Sequence, residues 1–425
     1  MLVTIGVGRT VEQAIYASIK MNNPNFAAFI VSPASKVTLD RTIDGIPLRK
    51  MCKHKDFLVN NPEDIDDVFV CAEKALLYLL NEGFDPSDIV ADITSGTKVM
   101  SAALASLAIL YRLYSISYVG GTSRSQDGIV IKGAEEPREL KPRRILYKNE
   151  LATIKKFFSR YQFHACIELL EELTSANTFS VLDKNERDSL QDMQKIIMAF
   201  INWERFEHKE SLKLFKNVNS YDTTIQQQFL DNLLEDKSIV ARKFSSLQGK
   251  IPHKYLLIDI FQNAKRRASE GNFDDAVARL YRCLEMIGQY ELLLRYGLVS
   301  SNVNLESLRG RINEKLFDKL SSKKMNHEIG KLEIGLRENF ELISQLNSND
   351  EVAAEYSKHR EDFLKYITSR NESIMAHGIR PVAEQDYNKM EALTKSFLVA
   401  LFSKDADQKL NEIERCFKQD SILNF

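Results

Sequence analysis

The run Arg370-Asn371-Glu372-Ser373-Ile374-Met375-Ala376-His377 holds residue types from which metal-free phosphodiester chemistry can be built. Read as a helix, it places Arg370 and His377 seven positions apart, and seven steps of about 100° return to the same face. A guanidinium and an imidazole would then share one stripe, about two turns apart. Gly378 and Pro381 follow at once, so the helix is expected to end there with His377 in its last turn. At that end the backbone dipole favours an imidazolium and keeps a proton available near neutral pH. An Arg and a His on one helix face also form an ordinary solvated surface, and spacing alone leaves both readings open.

A second group lies far upstream. Asp92-Ile93-Thr94-Ser95-Gly96-Thr97-Lys98 sits between an apolar run and a helical one. Thr94, Ser95 and Thr97 supply hydroxyls, Gly96 frees the backbone, and Lys98 adds a positive charge. The helix that follows would present unpaired N–H groups to an anion. The GxxxxGK[ST] spacing is absent, which argues against a nucleoside triphosphatase and for binding of phosphates or ribose hydroxyls. The competing reading is a helix N-cap in a polar turn. Near the N-terminus, Gly6-Val7-Gly8-Arg9-Thr10 allows close backbone approach, and Arg9 could reach a phosphate. Val11 stands where a dinucleotide fingerprint needs a third glycine.

The elements that must position these groups differ along the chain. Residues 1–145 alternate strand and helix: LVTIGV, FAAFIVS, DFLVN, DIVADI, SISYVGG and GIVIKG are apolar runs separated by amphipathic stretches. Such a pattern predicts a parallel sheet covered on both faces, a Rossmann-like α/β domain. In that class ligands bind beyond the carboxyl ends of the strands. The helix MSAALASLAILYRLY is rich in small residues, which fits intramolecular packing or a homodimer seam. EEPRELKPRR (135–144), with Pro137 and Pro142, reads as a linker. Beyond it the chain is all-α, with 146–250 expected as an intermediate helical domain and 251–425 as a second helical domain carrying Arg370 and His377. On DDAVARLYRCLEMIGQ, Arg279, Arg282, Glu285 and Gln289 recur on one side. That side reads as a solvated face, with Arg282 and Glu285 the candidates for orienting the Arg–His pair. His54, His164, His208, His253, His327 and His359 show no companion pattern and are expected to be structural or exposed.

Composition narrows the class. The chain has 425 residues, 44% hydrophobic and 28% charged, which suits a soluble protein of two to three domains. A net charge of −1 excludes a globally basic nucleic-acid binder, so any RNA contact must come from local patches. The cysteines (Cys52, Cys71, Cys166, Cys283, Cys416) form no CxxC pair. That argues against a zinc site or a disulfide framework and points to a reducing cytoplasm. No metal site or cofactor is expected. MLVTIGVGRTVEQ lacks the order of a signal peptide, and no apolar run reaches a membrane span.

DITSGTKVMSAALA after a strand, in a domain opening with GVGRTVEQA, resembles the CARF domain of type III CRISPR defence systems. DDAVARLYRCLEM and RNESIMAHG resemble the HEPN ribonuclease domain, whose signature is Arg, four to six residues, then His. The order resembles the CARF–HEPN ancillary ribonucleases. The resemblance implies that cyclic oligoadenylate binds the first domain across a homodimer interface, at Gly8, Arg9, Thr10, Thr94, Ser95, Gly96, Thr97 and Lys98, with Ser32 a weaker candidate. It also implies that Arg370 and His377, with Asn371 beside the arginine, form a composite site with a second copy. That site would cut single-stranded RNA without a metal. Thr94, Ser95 and Lys98 are also compatible with slow cleavage of the activator ring. Two other readings stand beside this one: a non-catalytic nucleotide sensor signalling to a partner, and a small-nucleotide Rossmann enzyme with a helical oligomerisation region.

Overall fold

The computed structural model describes residues 1–8, 11–45, 52–123, 130–131, 133–174, 182–244, 251–323, 332–374, 378–403 and 405–418. The chain forms two compact units, Met1–Glu150 and Leu151–Phe425.

The first unit runs β1 (Leu2–Ile5), α1 (Val11–Asn22), β2 (Phe26–Val31), α2 (Lys36–Gly45), β3 (Lys53–Leu58), α3 (Ile65–Asn81), β4 (Val90–Asp92), α4 (Lys98–Leu110), β5 (Ser115–Gly121) and β6 (Glu135–Leu140). The sheet order is β3-β2-β1-β4-β5-β6, parallel except for β6. Because β1 and β2 are buried on both faces, their alternating side chains feed two cores. Leu2, Ala28 and Ile30 join Val68, Leu76, Leu104 and Leu107 in one. Val3, Ile5, Phe29 and Val31 join Ile15, Ile19 and Leu39 in the other. The small residues of α4 serve the first core, since Ala103 and Ala108 are buried in it.

Two expectations about the sheet are corrected. Residues 135–140, read as a linker, are the antiparallel strand β6 paired with β5, and Pro137 lies opposite Val119. A proline is tolerated there because an edge strand leaves one row of N–H groups outside the ladder. Of the strand expected at GIVIKG, Val130 lies in an isolated bridge, while Gly128, Ile129 and Lys132 lie outside the described residues. At the other edge, β3 begins at Lys53, earlier than DFLVN implied, and its largely exposed lysines discourage edge-to-edge pairing.

The helices continue as α5 (Arg143–Phe158), which contains the boundary between the units, then α6 (Phe163–Thr174), α7 (Lys184–Glu204), α8 (His208–Lys216), α9 (Thr224–Lys243), α10 (Lys254–Ser269) and α11 (Phe273–Tyr296). After them come α12 (Glu314–Ser321), α13 (Leu336–Leu346), α14 (Glu351–Lys358), α15 (Arg360–Asn371), α16 (Glu384–Phe402) and α17 (Asp405–Cys416). Trp203 is fully buried and packs on Phe229 at 5.5 Å and Phe417 at 4.9 Å between ring centres. Further along, α11 and α13 approach so closely that a Cβ on Gly288 would stand 3.0 Å from Asn339 Cβ. Among the described residues no helix is long and apolar enough to cross a membrane.

Near the far end of α11, Glu291 meets Asp350, the N-cap of α14, in a buried acid pair. Glu291 is 2% exposed and Asp350 1%. Burial, and then the neighbouring Asp350 carboxyl, push the Glu291 pKa from 4.5 up to about 8, with Arg295 opposing. An acid whose native pKa lies above its unfolded value favours the fold at low pH, and that stability drains away as pH rises toward the native pKa. The melting temperature should therefore fall between about pH 5 and pH 8, and Glu291→Gln should flatten that fall. Thermal melts across this range give the comparison; equal slopes for both proteins would contradict the assignment.

Candidate functional site

Strand order reverses between β1 and β4, and a ligand crevice is expected outside the carboxyl ends of the strands at such a point. There the loop 94–98 meets the end of β1, backbone against backbone. A Cβ on Gly6 would stand 2.6 Å from Gly96 N, and one on Gly96 would stand 3.1 Å from both Thr4 Cβ and Met100 Cβ. Gly96 also has a φ of 100°, which strains any other residue. Hydroxyls stitch the same join. Thr4 Oγ1 donates to the Ser95 carbonyl, Ser95 Oγ donates to the Thr4 carbonyl at 2.7 Å, and Gly6 N–H donates to Ser95 Oγ at 3.1 Å.

The remaining loop side chains have equally definite partners. Thr97 is the N-cap of α4: its hydroxyl accepts from Met100 N–H at 3.1 Å and donates to the Pro62 carbonyl at 2.8 Å. Thr94 Oγ1 accepts from Val119 N–H at 2.9 Å, and Thr94 N–H donates to Asp92 at 3.0 Å. Burial pushes the Asp92 carboxyl up, against hydrogen bonds from Ser18 and Thr94. Lys98 is exposed and makes no ion pair among the described residues. Ser32 is buried, and its hydroxyl lies 3.1 Å from that of Ser35 and accepts from Ser35 N–H at 3.2 Å, which shapes the turn before α2. Gly8 is exposed, while Arg9 and Thr10 lie outside the described residues.

Beside this loop a cavity of about 180 Å³ is lined by Thr94, Ser95, Val11, Tyr118, Gly120 and Glu135. Glu135 has no signal in the sequence because its stretch reads as a linker, and Tyr118 none because nothing in the strand SISYVGG marks which side faces the crevice.

In the second unit the helical reading of 370–377 is corrected. α15 ends at Asn371. Ser373 is buried and bridges to Arg380; Ile374 N–H donates to the Arg380 carbonyl at 3.1 Å, and Gly378 N–H to the Ser373 carbonyl at 3.0 Å. This main-chain pairing replaces the helical bonds that would have continued α15. A Cβ on Gly378 would overlap the Glu372 carbonyl, so the glycine serves a close approach rather than ending a helix. The dipole argument passes from His377 to Arg370, the basic residue of the last turn. The Asn371 side chain and all of His377 lie outside the described residues.

Arg370 stands with its guanidinium carbon 4.4 Å from the ring centre of Tyr281 on α11, a cation–π contact. Burial first, and then the Glu285 carboxylate, raise the Tyr281 pKa, while Arg370 opposes them. Arg282 and Glu285 pair with each other at 3.1 Å, so Glu285 acts on this region through Tyr281. Tyr281 was missed in the sequence, although it precedes Glu285 by one helical turn, a spacing that brings side chains together.

A doubly wound α/β unit with a polar loop at its switch point, followed by a helical unit with an arginine at a helix end, is the order of domains that the resemblance implied. Residues 246–400 match the family model of the Csm6 HEPN domain. The whole fold is similar to that of Enterococcus italicus Csm6, solved bound to cyclic hexa-2′-fluoro-hexa-dAMP, with 13% identity and a TM-score of 0.50 over 98% of this chain and 99% of that chain. No curated protein matches the chain. The resemblance drawn from the two motifs is borne out by the matched HEPN stretch and the shared fold.

The loop geometry sets the expected effect of substitution. Gly96→Ala forces a strained φ and two close contacts, for about 1–3 kcal/mol of stability. Thr97→Ala removes a cap, for about 1 kcal/mol, whereas Lys98→Ala should melt with wild type. Scanning calorimetry of the full chain measures all three, and a wild-type melting temperature in Gly96→Ala would refute the glycine contact.

Proposed function

We propose that this chain is a cyclic-oligoadenylate-activated, metal-independent endoribonuclease of CRISPR antiviral defence that cleaves single-stranded RNA. The observation that carries the reading is the match of residues 246–400 to the Csm6 HEPN domain, with both Arg370 and His377 inside that stretch. The reaction fits the residue types. A ribose 2′-hydroxyl attacks the adjacent phosphorus, the P–O5′ bond breaks, and the products are a 2′,3′-cyclic phosphate and a 5′-hydroxyl. His377 moves the proton as general acid or base. Arg370 neutralises charge growing on the phosphate oxygens, its guanidinium steered by the Tyr281 face. Asn371 stands beside it in the motif. Each chain supplies one such pair, so a homodimer would furnish both the acid and the base.

Residues 1–145 would sense the activator, 146–250 would connect, and 251–425 would cut, all in the cytoplasm. The activator would lie at the switch-point crevice of the first unit, over Gly8, Arg9, Thr10, Ser32 and the loop 94–98. The Thr94, Ser95 and Thr97 hydroxyls are already engaged by backbone groups. Backbone N–H groups and the exposed Lys98 are thus the readier anion ligands, which favours binding over ring cleavage by this loop. Binding would shift the population of the dimer toward a competent ribonuclease site.

The decisive measurement is cleavage of a fluorogenic RNA in EDTA, with and without cyclic tetra- and hexa-adenylate. Cleavage should require an activator, survive chelation, and fall by about 10²–10⁴ in His377→Ala or Arg370→Ala. A requirement for metal, or full activity in His377→Ala, rejects the mechanism. The contact with Tyr281 predicts more. Tyr281→Phe keeps the ring face and should retain turnover, while Tyr281→Leu should lower kcat by about tenfold, the worth of a partly desolvated cation–π contact. Equal rates for the Phe and Leu variants would remove Tyr281 from any positioning role.

A further inference from the structure

Away from the Arg370–Tyr281 contact, the second unit holds a cavity of about 710 Å³ walled by α12, α13, α14 and the start of α15. Lys315, Lys319, Arg337 and Arg360 line it, against one carboxylate, Glu341. That carboxylate is already shared: Lys319 reaches it at 2.6 Å and Arg337 at 2.7 Å. Burial works against the Glu341 anion, but these two cations hold its pKa below the usual value. Lys315 and Arg360 are exposed and carry no ion pair among the described residues. The floor is rigid, because Tyr356 is buried and stacked on Phe340 at 5.6 Å between ring centres. A concave surface with a fixed floor and surplus cations, on a chain of net charge −1, is the kind of local patch that a polyanion requires.

Its place in the unit indicates which polyanion. Arg360 opens α15 and Arg370 lies in the last turn of the same helix, so at 1.5 Å per residue they stand about 15 Å apart along it. The first turn of α13 links the two places again: Arg337 lines the cavity, while the adjacent Glu338 acts on the pKa of Tyr281. We propose that this cavity is a docking subsite for the phosphate backbone of the RNA substrate, away from the scissile bond, with Lys315 and Arg360 as its phosphate ligands. The subsite reads charge rather than sequence, since phosphate contacts position a strand without specifying bases. The inference rests on the ribonuclease reading above and extends it to substrate capture.

The test uses the full chain with cyclic oligoadenylate present and a fluorescent single-stranded RNA of about 20 nucleotides, long enough to span several phosphates. Its riboses are 2′-O-methylated so that it binds without being cut. Lys315→Ala/Arg360→Ala spares the Lys319–Glu341–Arg337 bridge and so leaves no carboxylate unpaired. Losing two phosphate contacts should make the slope of log K against log salt shallower by about 1.4, which near 0.15 M salt is about a tenfold weaker Kd. On an unmodified RNA of the same length KM should rise in step while kcat holds, whatever the base sequence. A control variant, Lys209→Ala/Lys213→Ala on α8, should match wild type. If the first double variant binds with wild-type affinity and salt slope while wild type still cleaves RNA, the subsite is refuted and the ribonuclease reading stands. If wild type neither binds nor cleaves RNA with activator present, the ribonuclease reading itself fails. An equal loss in both double variants would mean that the effect is diffuse charge, which also refutes the subsite.

Discussion

A carboxylate with no solvent exposure must find its donors inside the fold, and Asp259 organises much of the helical unit by doing so. It accepts from Trp203 Nε1 at 3.1 Å and lies 2.7 Å from His208 Nε2, which ties α10 to α7 and α8. About two turns further along α10, Arg266 and Arg267 each meet Glu204 at 2.5 Å, and Asn263, one turn along, donates to the same carboxylate at 2.9 Å. Arg279 of α11 then bonds to Asn263. Two residues beyond it is Tyr281, the ring on which Arg370 rests. The position of the Arg370 guanidinium thus depends on buried polar groups several helices away. Such networks do not add much net stability, but removing one partner leaves an uncompensated charge and costs about 3–5 kcal/mol. They therefore define one arrangement of helices over its alternatives.

The α/β unit reaches comparable definition without charge. At its switch point Gly6 and Gly96 are in backbone contact, and the Thr4 and Ser95 hydroxyls cross-link the same two strand ends. Loop residues that look like ligand groups in the sequence are thereby committed to holding the loop. Lys98 is the exposed charge of the loop, and Thr94 and Ser95, though bonded, still line the cavity beside it. A rigid polar loop of this kind suits recognition of a ligand whose charge lies on phosphates, because the donors need no reorganisation when it arrives.

Much of this was legible in advance because it follows from periodicity. The runs around Val3, Phe29 and Ala91 are apolar on both sides, and a strand of that kind has to sit inside a covered parallel sheet. The helical character of the second unit follows from its long apolar stripes. The errors have a common origin. Residues 135–140 read as a linker because Pro137 and Pro142 carry a strong local signal, whereas edge pairing with Val119 is a long-range fact. Arg370 through His377 looked helical because no residue among them forbids a helix. The competing pairing of Ser373 with Arg380 has no periodic signature.

By itself, then, the sequence determined the parallel part of the sheet, the helical remainder and the place of the Thr94–Lys98 loop, since each depends on residue types and short spacings. Tertiary structure alone decided what those groups do to one another. It turned Thr97 into a cap and Ser95 into a strand-to-loop tie, stopped α15 at Asn371 and laid Arg370 on Tyr281. It also gathered Lys315, Arg337 and Arg360 from three separate helices around one cavity. The physical reason is that a side chain's chemistry is local, but its partners are set by burial, and burial is a property of the whole chain.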